Sequence, residues 1–218
     1  MGCGVKPSKI VGGSPVTPYS IPWQVALVDS GGNWPWCGGT LIDESHVLTA
    51  AHCTDENFDI IVGDHDWTSS NDGTRHTVCK TVVHPSYSDS TLDNDFAVVH
   101  LQSPVEIGAR AVPACLPPTD GTMGGDFLAG KNMTVSGWGD TTEGGQQPNE
   151  LHSVNVPGIT NVECNQAYNS ISDAMLCAGN VETGGIDSCQ GDSGGRLFKS
   201  GPWLLLINMN ISKNLYLQ

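Results

Sequence analysis

The stretch Gly191-Asp192-Ser193-Gly194-Gly195 sets a single hydroxyl among glycines and directly after a carboxylate. Glycine lacks a Cβ, so the backbone can turn tightly there and let a substrate carbonyl approach the peptide N–H groups. The N–H groups of Gly191 and Ser193 can then converge on one point. Donors so placed stabilise the oxygen that becomes negative when a hydroxyl attacks an acyl carbon, often the largest catalytic contribution. Taken alone, the same residues also read as a glycine-rich turn carrying an ordinary serine. The rest of the chain decides between the two.

A serine hydroxyl attacks only when a base removes its proton, and histidine has the pKa to do so near neutrality. Of the 7 histidines, His52 stands apart, in Leu48-Thr49-Ala50-Ala51-His52-Cys53. Small residues precede it and a cysteine follows, a setting that holds an imidazole in place. His46, His65, His76, His84, His100 and His152 read as partly buried side chains satisfied by backbone groups. The base needs a third group that fixes its tautomer and stabilises its positive charge. Asp95 opens the apolar run Phe96-Ala97-Val98-Val99, which carries its carboxylate to the edge of a packed core. Such a carboxylate requires hydrogen bonds or a cation, since burying an unpaired charge costs roughly several kcal/mol. Asp93 reads as a solvated turn residue.

The composition suits this chemistry. The 218 residues suffice for one large or two small domains with a buried core. Glycine, proline, tryptophan and cysteine are frequent and charged residues are few, as in a loop-rich β protein. A formal net charge of -14 disfavours nucleic acid as a partner. Eight cysteines without CxxC spacing argue for disulfides over zinc, hence for an oxidising compartment. No apolar run reaches membrane-spanning length, and no secretory signal precedes Cys3 although the cysteines call for one. Short β-rich runs predict strands over 23–28, 39–42, 47–49, 60–62, 77–83 and 96–101, then 133–138, 151–156, 175–178, 196–198 and 203–207. Residues 112–118 are proline-rich and read as an extended connector, and 161–168 is the one helical segment expected.

Thr49-Ala50-Ala51-His52-Cys53, Asp93-Asn94-Asp95-Phe96-Ala97, Gly191-Asp192-Ser193-Gly194-Gly195 and Lys9-Ile10-Val11-Gly12-Gly13 together resemble the trypsin and chymotrypsin family of serine endopeptidases. The resemblance covers about residues 10–207 and implies an all-β fold of two Greek-key antiparallel β-barrels. It divides the chain into an activation propeptide (1–9), a peptidase domain (10–207, with barrels at about 21–111 and 119–207) and a divergent tail (208–218). By that likeness His52 is the general base, Asp95 its orienting partner, Ser193 the nucleophile, and Gly191 with Ser193 the oxyanion hole. Cleavage after Lys9 frees the ammonium of Ile10 to pair with Asp192, so the chain resembles an uncleaved zymogen. Asp187, six residues before the nucleophile, matches the base of the primary pocket and favours Arg or Lys in the substrate.

The likeness also implies the disulfides Cys37–Cys53, Cys164–Cys177 and Cys3–Cys115, and leaves Cys79 and Cys189 unassigned. A loop the size of the first is worth about 3 kcal/mol in the chain-entropy model. The chain departs from the family at several points. Met133 and Lys199 replace a further disulfide, and Arg196 stands where proline is usual. The last eleven residues replace a strand, the partner of Cys189, one wall of the specificity pocket and a closing helix, so the second barrel is expected to be incomplete. Asp64, Asp66, Asn71 and Asp72 lie where some members hold calcium, but Arg75 falls near the place of an acidic ligand, and a solvated acidic loop is the preferred reading. Asn132-Met133-Thr134 and Asn210-Ile211-Ser212 are glycosylation sequons.

These readings converge on a secreted, monomeric, trypsin-like endopeptidase that cuts after Arg or Lys and needs no cofactor. Its expected partners are protein substrates, an activating protease and protein inhibitors. The rivals are a catalytically inactive homologue that binds or regulates, and a truncated product without function. The intact His52, Asp95 and Ser193 argue for catalysis, and the altered end argues for the rivals.

Overall fold

Strands β1 (Ser14–Pro15), β2 (Gln24–Asp29), β3 (Pro35–Leu41), β4 (His46–Thr49), β5 (Phe58–Val62), β6 (Thr74–Val83) and β7 (Ala97–Leu101) occupy the first half of the computed structural model. The described residues are 13–116, 129–139, 146–167, 171–179, 196–198, 209–210 and 216–217. Antiparallel pairing closes six strands into a barrel in the order β2-β3-β4-β7-β6-β5. Side chains alternate across a strand, so each strand of the barrel offers one face to its interior. Val25 and Leu27 of β2, Phe58, Ile60 and Val62 of β5, and Val47, Val99 and Leu101 fill that interior. Gly39 of β3 is required there, because a Cβ would lie 2.9 Å from Val47 and 3.0 Å from Val25.

The opposite faces of β2 and β5 are buried as well. Ala26, Val28 and Ile61 form a second core with Trp23, Val16, Ala114, Trp138 and Leu151. A second unit stacked on this side of the barrel explains why β5 reads as a continuous apolar run broken only by Asp59. That unit consists of β8 (Asn132–Gly137), β9 (His152–Ile159), β10 (Cys177–Ala178) and β11 (Arg196–Phe198), joined by β1 in the order β1-β9-β8-β11, with β10 pairing β9. Polar links cross between the units. Ser136 Oγ donates to Gln24 Oε1 at 2.9 Å, and Trp138 Nε1 to the His65 carbonyl at 3.1 Å. The architecture is thus mostly strand, a closed barrel beside a five-stranded sheet, as expected for the fold class.

Several boundaries move for identifiable reasons. Strand β3 starts four residues before the expected 39–42, at a proline opposite a bulge between Leu27 and Val28, where a missing N–H is tolerated. Strand β1 was not expected, since two residues including a proline carry no periodic signal. Helix α1 (Asn161–Ala167) falls within the expected 161–168. Thr160 and Glu163 cap it reciprocally, with Thr160 N–H donating to Glu163 Oε2 at 2.9 Å and Glu163 N–H to Thr160 Oγ1 at 3.1 Å. Within the connector, Val112 N–H bonds Pro22 O and Ala114 N–H bonds Leu41 O, while 117–118 lie outside the described residues. The tail, for which no element was expected, pairs β12 (Met209–Asn210) with β13 (Tyr216–Leu217). The expected strand 203–207 lies outside the described residues, and among those described no helix is long and apolar enough to cross a membrane.

Candidate active site

His52 sits in a single 3₁₀ turn, Ala51–Cys53, directly after β4. Ala50 and Ala51 are fully or almost fully buried, so their small side chains let this turn pack on the barrel wall. Cys53 is bonded to Cys37 of β3 across a sequence separation of 16, which ties the turn to the neighbouring strand. The backbone that carries the imidazole is therefore held on both sides.

Asp95 approaches from the start of β7. Leu92 and Asn94 both adopt left-handed backbone, with φ of 54° and 53°, and so re-aim the chain just before it. Its side chain has no solvent exposure, whereas that of His52 is 24% exposed. Both carboxylate oxygens have donors from the same residue. The His52 backbone N–H donates to Oδ1 at 2.9 Å, and His52 Nδ1 lies 2.6 Å from Oδ2. An ionised carboxylate can only accept, so Nδ1 carries a proton, and in the neutral imidazole the lone pair is then on Nε2. The arrangement gives an imidazole fixed in one tautomer with its basic nitrogen free of Asp95. Burial, followed by the charges of Asp95 and Asp89, holds the nearby Tyr87 phenol well above its ordinary range.

Asp93 is corrected by the structure. It accepts from Ser172 Oγ at 2.6 Å, a contact between segments 79 residues apart, and is not simply a solvated turn residue. The remaining histidines divide. His152 Nδ1 lies 2.8 Å from the Glu150 carbonyl as expected, but His46 Nδ1 pairs with Asp43 at 2.9 Å and its ring stacks on His100. His65 is buried, and its Nδ1 has no partner among the described residues, against the expectation of backbone satisfaction. Gly191, Asp192, Ser193 and Asp187 lie outside the described residues, as do Lys9, Ile10, Cys3 and Cys189.

Cys164 and Cys177 are joined as expected, pinning α1 to β10. Cys115 is disulfide-bonded, and Cys79 is a free, exposed thiol. Sulfurs of Cys37 and Cys53 and a His52 ring nitrogen form the one close cluster of metal-ligating atom types among the described residues. Both sulfurs are spent in the disulfide, so the cluster offers no thiolates to a metal. Asp64, Asp66 and Asp72 do not join in such a cluster.

The trypsin family model matches residues 10–212. The chain is 38% identical to serine protease 1 of Rattus norvegicus over 196 residues, covering 88% of this chain and 76% of that protein. It is 37% identical to trypsin-2 of Salmo salar, covering 88% and 80% respectively. It is 40% identical to the serine proteinase stubble of Drosophila melanogaster over 87% of this chain but only 26% of that protein. Among solved structures, neuropsin, a serine protease expressed in the limbic system of mouse brain, superposes with a TM-score of 0.81 at 30% identity. The match covers 94% of this chain and 89% of neuropsin. The likeness thus extends through the barrel, the second sheet and the turn that carries His52, and the chain belongs to the trypsin family of serine proteases.

Proposed function

We propose that this chain is a secreted serine endopeptidase, made as a zymogen, that hydrolyses peptide bonds after Arg or Lys. The observation that carries the reading is the two-point hold of His52 by the fully buried Asp95, at 2.9 and 2.6 Å. That hold supports His52 Nε2 as a base of fixed direction. In the reaction, Ser193 Oγ attacks the scissile carbonyl carbon while Nε2 takes its proton. The C–O bond forms, and the carbonyl oxygen becomes an oxyanion received by the N–H groups of Gly191 and Ser193. The imidazolium, stabilised by Asp95, then gives the proton to the leaving amine as the C–N bond breaks. Water repeats the sequence on the acyl-enzyme, with His52 again the base, and releases the acid and Ser193. A positioned base contributes roughly 10²–10⁴-fold and an oxyanion donor roughly 10²–10³-fold, so neither alone accounts for an efficient protease.

Asp187 supplies the preference for basic side chains, and cleavage after Lys9 supplies the Ile10 ammonium that Asp192 requires. No cofactor takes part in these steps. Protein substrates, an activating protease and protein inhibitors are the partners this chemistry calls for. The disulfides Cys37–Cys53 and Cys164–Cys177 support an extracellular setting.

The test is hydrolysis of peptide anilides with Arg, Lys, Phe or Ala before the scissile bond, by intact and Lys9-cut protein, with Ser193→Ala as blank. Ser193-dependent turnover of the Arg and Lys substrates, confined to cut protein and lost as a preference in Asp187→Ser, is expected. Comparable turnover by intact protein would overturn the zymogen reading, and an unchanged preference in Asp187→Ser would overturn the role of that residue.

A further inference from the structure

The acidic loop between β5 and β6, residues 63–73, is held by groups of the chain itself. Asp72 Oδ2 accepts the backbone N–H groups of His65 and Asp66, both at 3.0 Å, and so ties the two ends of the loop together. Asp72 Oδ1 accepts from Tyr19 Oη at 2.8 Å and faces Arg110 Nη1 at 3.4 Å. The Arg110 guanidinium also lies over the Tyr19 ring, 4.1 Å from its centroid, and its backbone packs against Gly63 at the loop's entry. Asp66 Oδ1 is taken by Thr68, through N–H at 3.0 Å and Oγ1 at 2.5 Å. Arg75 turns away from the loop to Asp59 at 3.0 Å and Asn33 at 2.7 Å, and also bonds the Gly32 carbonyl.

Divalent calcium needs six to eight oxygens converging on one point. Here both oxygens of Asp72 and Oδ1 of Asp66 are committed to protein donors, and among the described residues of the loop Asp64 Oδ1 is the carboxylate oxygen that is buried without a partner. We propose that Arg110 serves as the resident cation of this loop, so that the Arg110–Asp72–Tyr19 cluster does internally what a bound calcium ion would do and the folded loop is calcium-independent. The cluster joins three separate segments, at 19, 63–73 and 110, and thereby fastens the loop to the N-terminal strand region and to the turn after β7. This assignment does not depend on the proposed catalytic activity.

Isothermal titration with calcium, thermal unfolding with calcium or chelator, and amide exchange of the full chain test it. Wild type is expected to bind no calcium at millimolar concentration and to unfold within 1 °C of the same temperature either way, roughly the resolution of the method. Arg110→Gln is expected to speed exchange at the His65 and Asp66 amides about tenfold, with partial rescue by Arg110→Lys. Stoichiometric calcium binding by wild type that is lost in Asp64→Asn would overturn the proposal. So would unchanged exchange at those two amides in a folded Arg110→Gln.

Discussion

Two buried aspartates in the same barrel show what position does to a carboxylate. Asp95 is fully buried, and both its oxygens meet donors of His52. Asp64 is 6% exposed, and its Oδ1 has no partner among the described residues. Burial first, and then the charges of Asp72 and Asp66, push the Asp64 carboxyl up to about 7, opposed only by the His65 N–H. One carboxylate has the donors to work as an anion beside a base, while the other is more cheaply kept as a neutral acid. The two differ because Asp95 faces a turn whose N–H and side chain both point at it, whereas Asp64 is buried near other acids with the His65 N–H as its support.

The largest effect is expected from removing the Asp95 side of this contrast. Asp95→Asn places an N–H₂ or a single acceptor against Nδ1 and permits the wrong tautomer. Turnover by the Lys9-cut protein should fall about 10⁴-fold with the fold retained, a magnitude belonging to this family's triad chemistry rather than to these distances. Steady-state kinetics with circular dichroism checks it, and a loss below tenfold would break the contrast.

Asp64 should act through pH. Its carboxyl titrates near 7 in the folded chain and near the ordinary 3.8 when unfolded. Between those values the folded state holds a proton that the unfolded state has released, so this group favours folding at low pH and loses that contribution as pH rises from about 4 to about 7. At 1.36 kcal/mol per pH unit the component is at most about 4 kcal/mol. Asp64→Asn should therefore gain stability relative to wild type as pH rises through this window, in urea unfolding at a series of pH values. Asp72 runs the other way. Although burial opposes its charge, the Asp66 N–H, Tyr19, the His65 N–H and Arg110 hold it below the usual carboxylate range, so its contribution is lost as pH falls through its folded pKa.

Smaller effects sharpen the same comparison. Replacing both Cys37 and Cys53 by Ser should cost about 3 kcal/mol in denaturant unfolding and loosen the turn that aims His52. Gly73→Ala should cost about 2 kcal/mol. Gly73 has φ of +70°, and a Cβ there would lie 2.5 Å from Ile61 Cγ2 and 3.1 Å from Asp64 Cβ. If Gly73→Ala proves neutral, the loop around Asp64 is looser than its burial implies.

The legible parts of this molecule were those written locally. His52 is recognisable because its turn, its small neighbours and Cys53 are contiguous, and the run after Asp95 announces a strand entering a core. Burial of β2 and β5 on both faces was not legible, because its cause is the second unit stacked on them. What escaped were pairings across long sequence distance. Ser172 meets Asp93 from 79 residues away, and Arg110 meets Asp72 from 38. No periodicity or motif joins such residues, because the closed barrel and its stacked neighbour bring them together. The acidic loop therefore read as solvated, although Asp64 is buried in it and Arg110 neutralises its far end.

The central question is whether the His52–Asp95 pair activates Ser193. Labelling with a fluorophosphonate after controlled cleavage at Lys9, with Ser193→Ala and His52→Ala as blanks, measures that without requiring a known substrate. Covalent labelling that appears on cleavage and vanishes in both variants is the predicted result. A folded, correctly cut protein that takes up no label, or one that labels equally in His52→Ala, would contradict it.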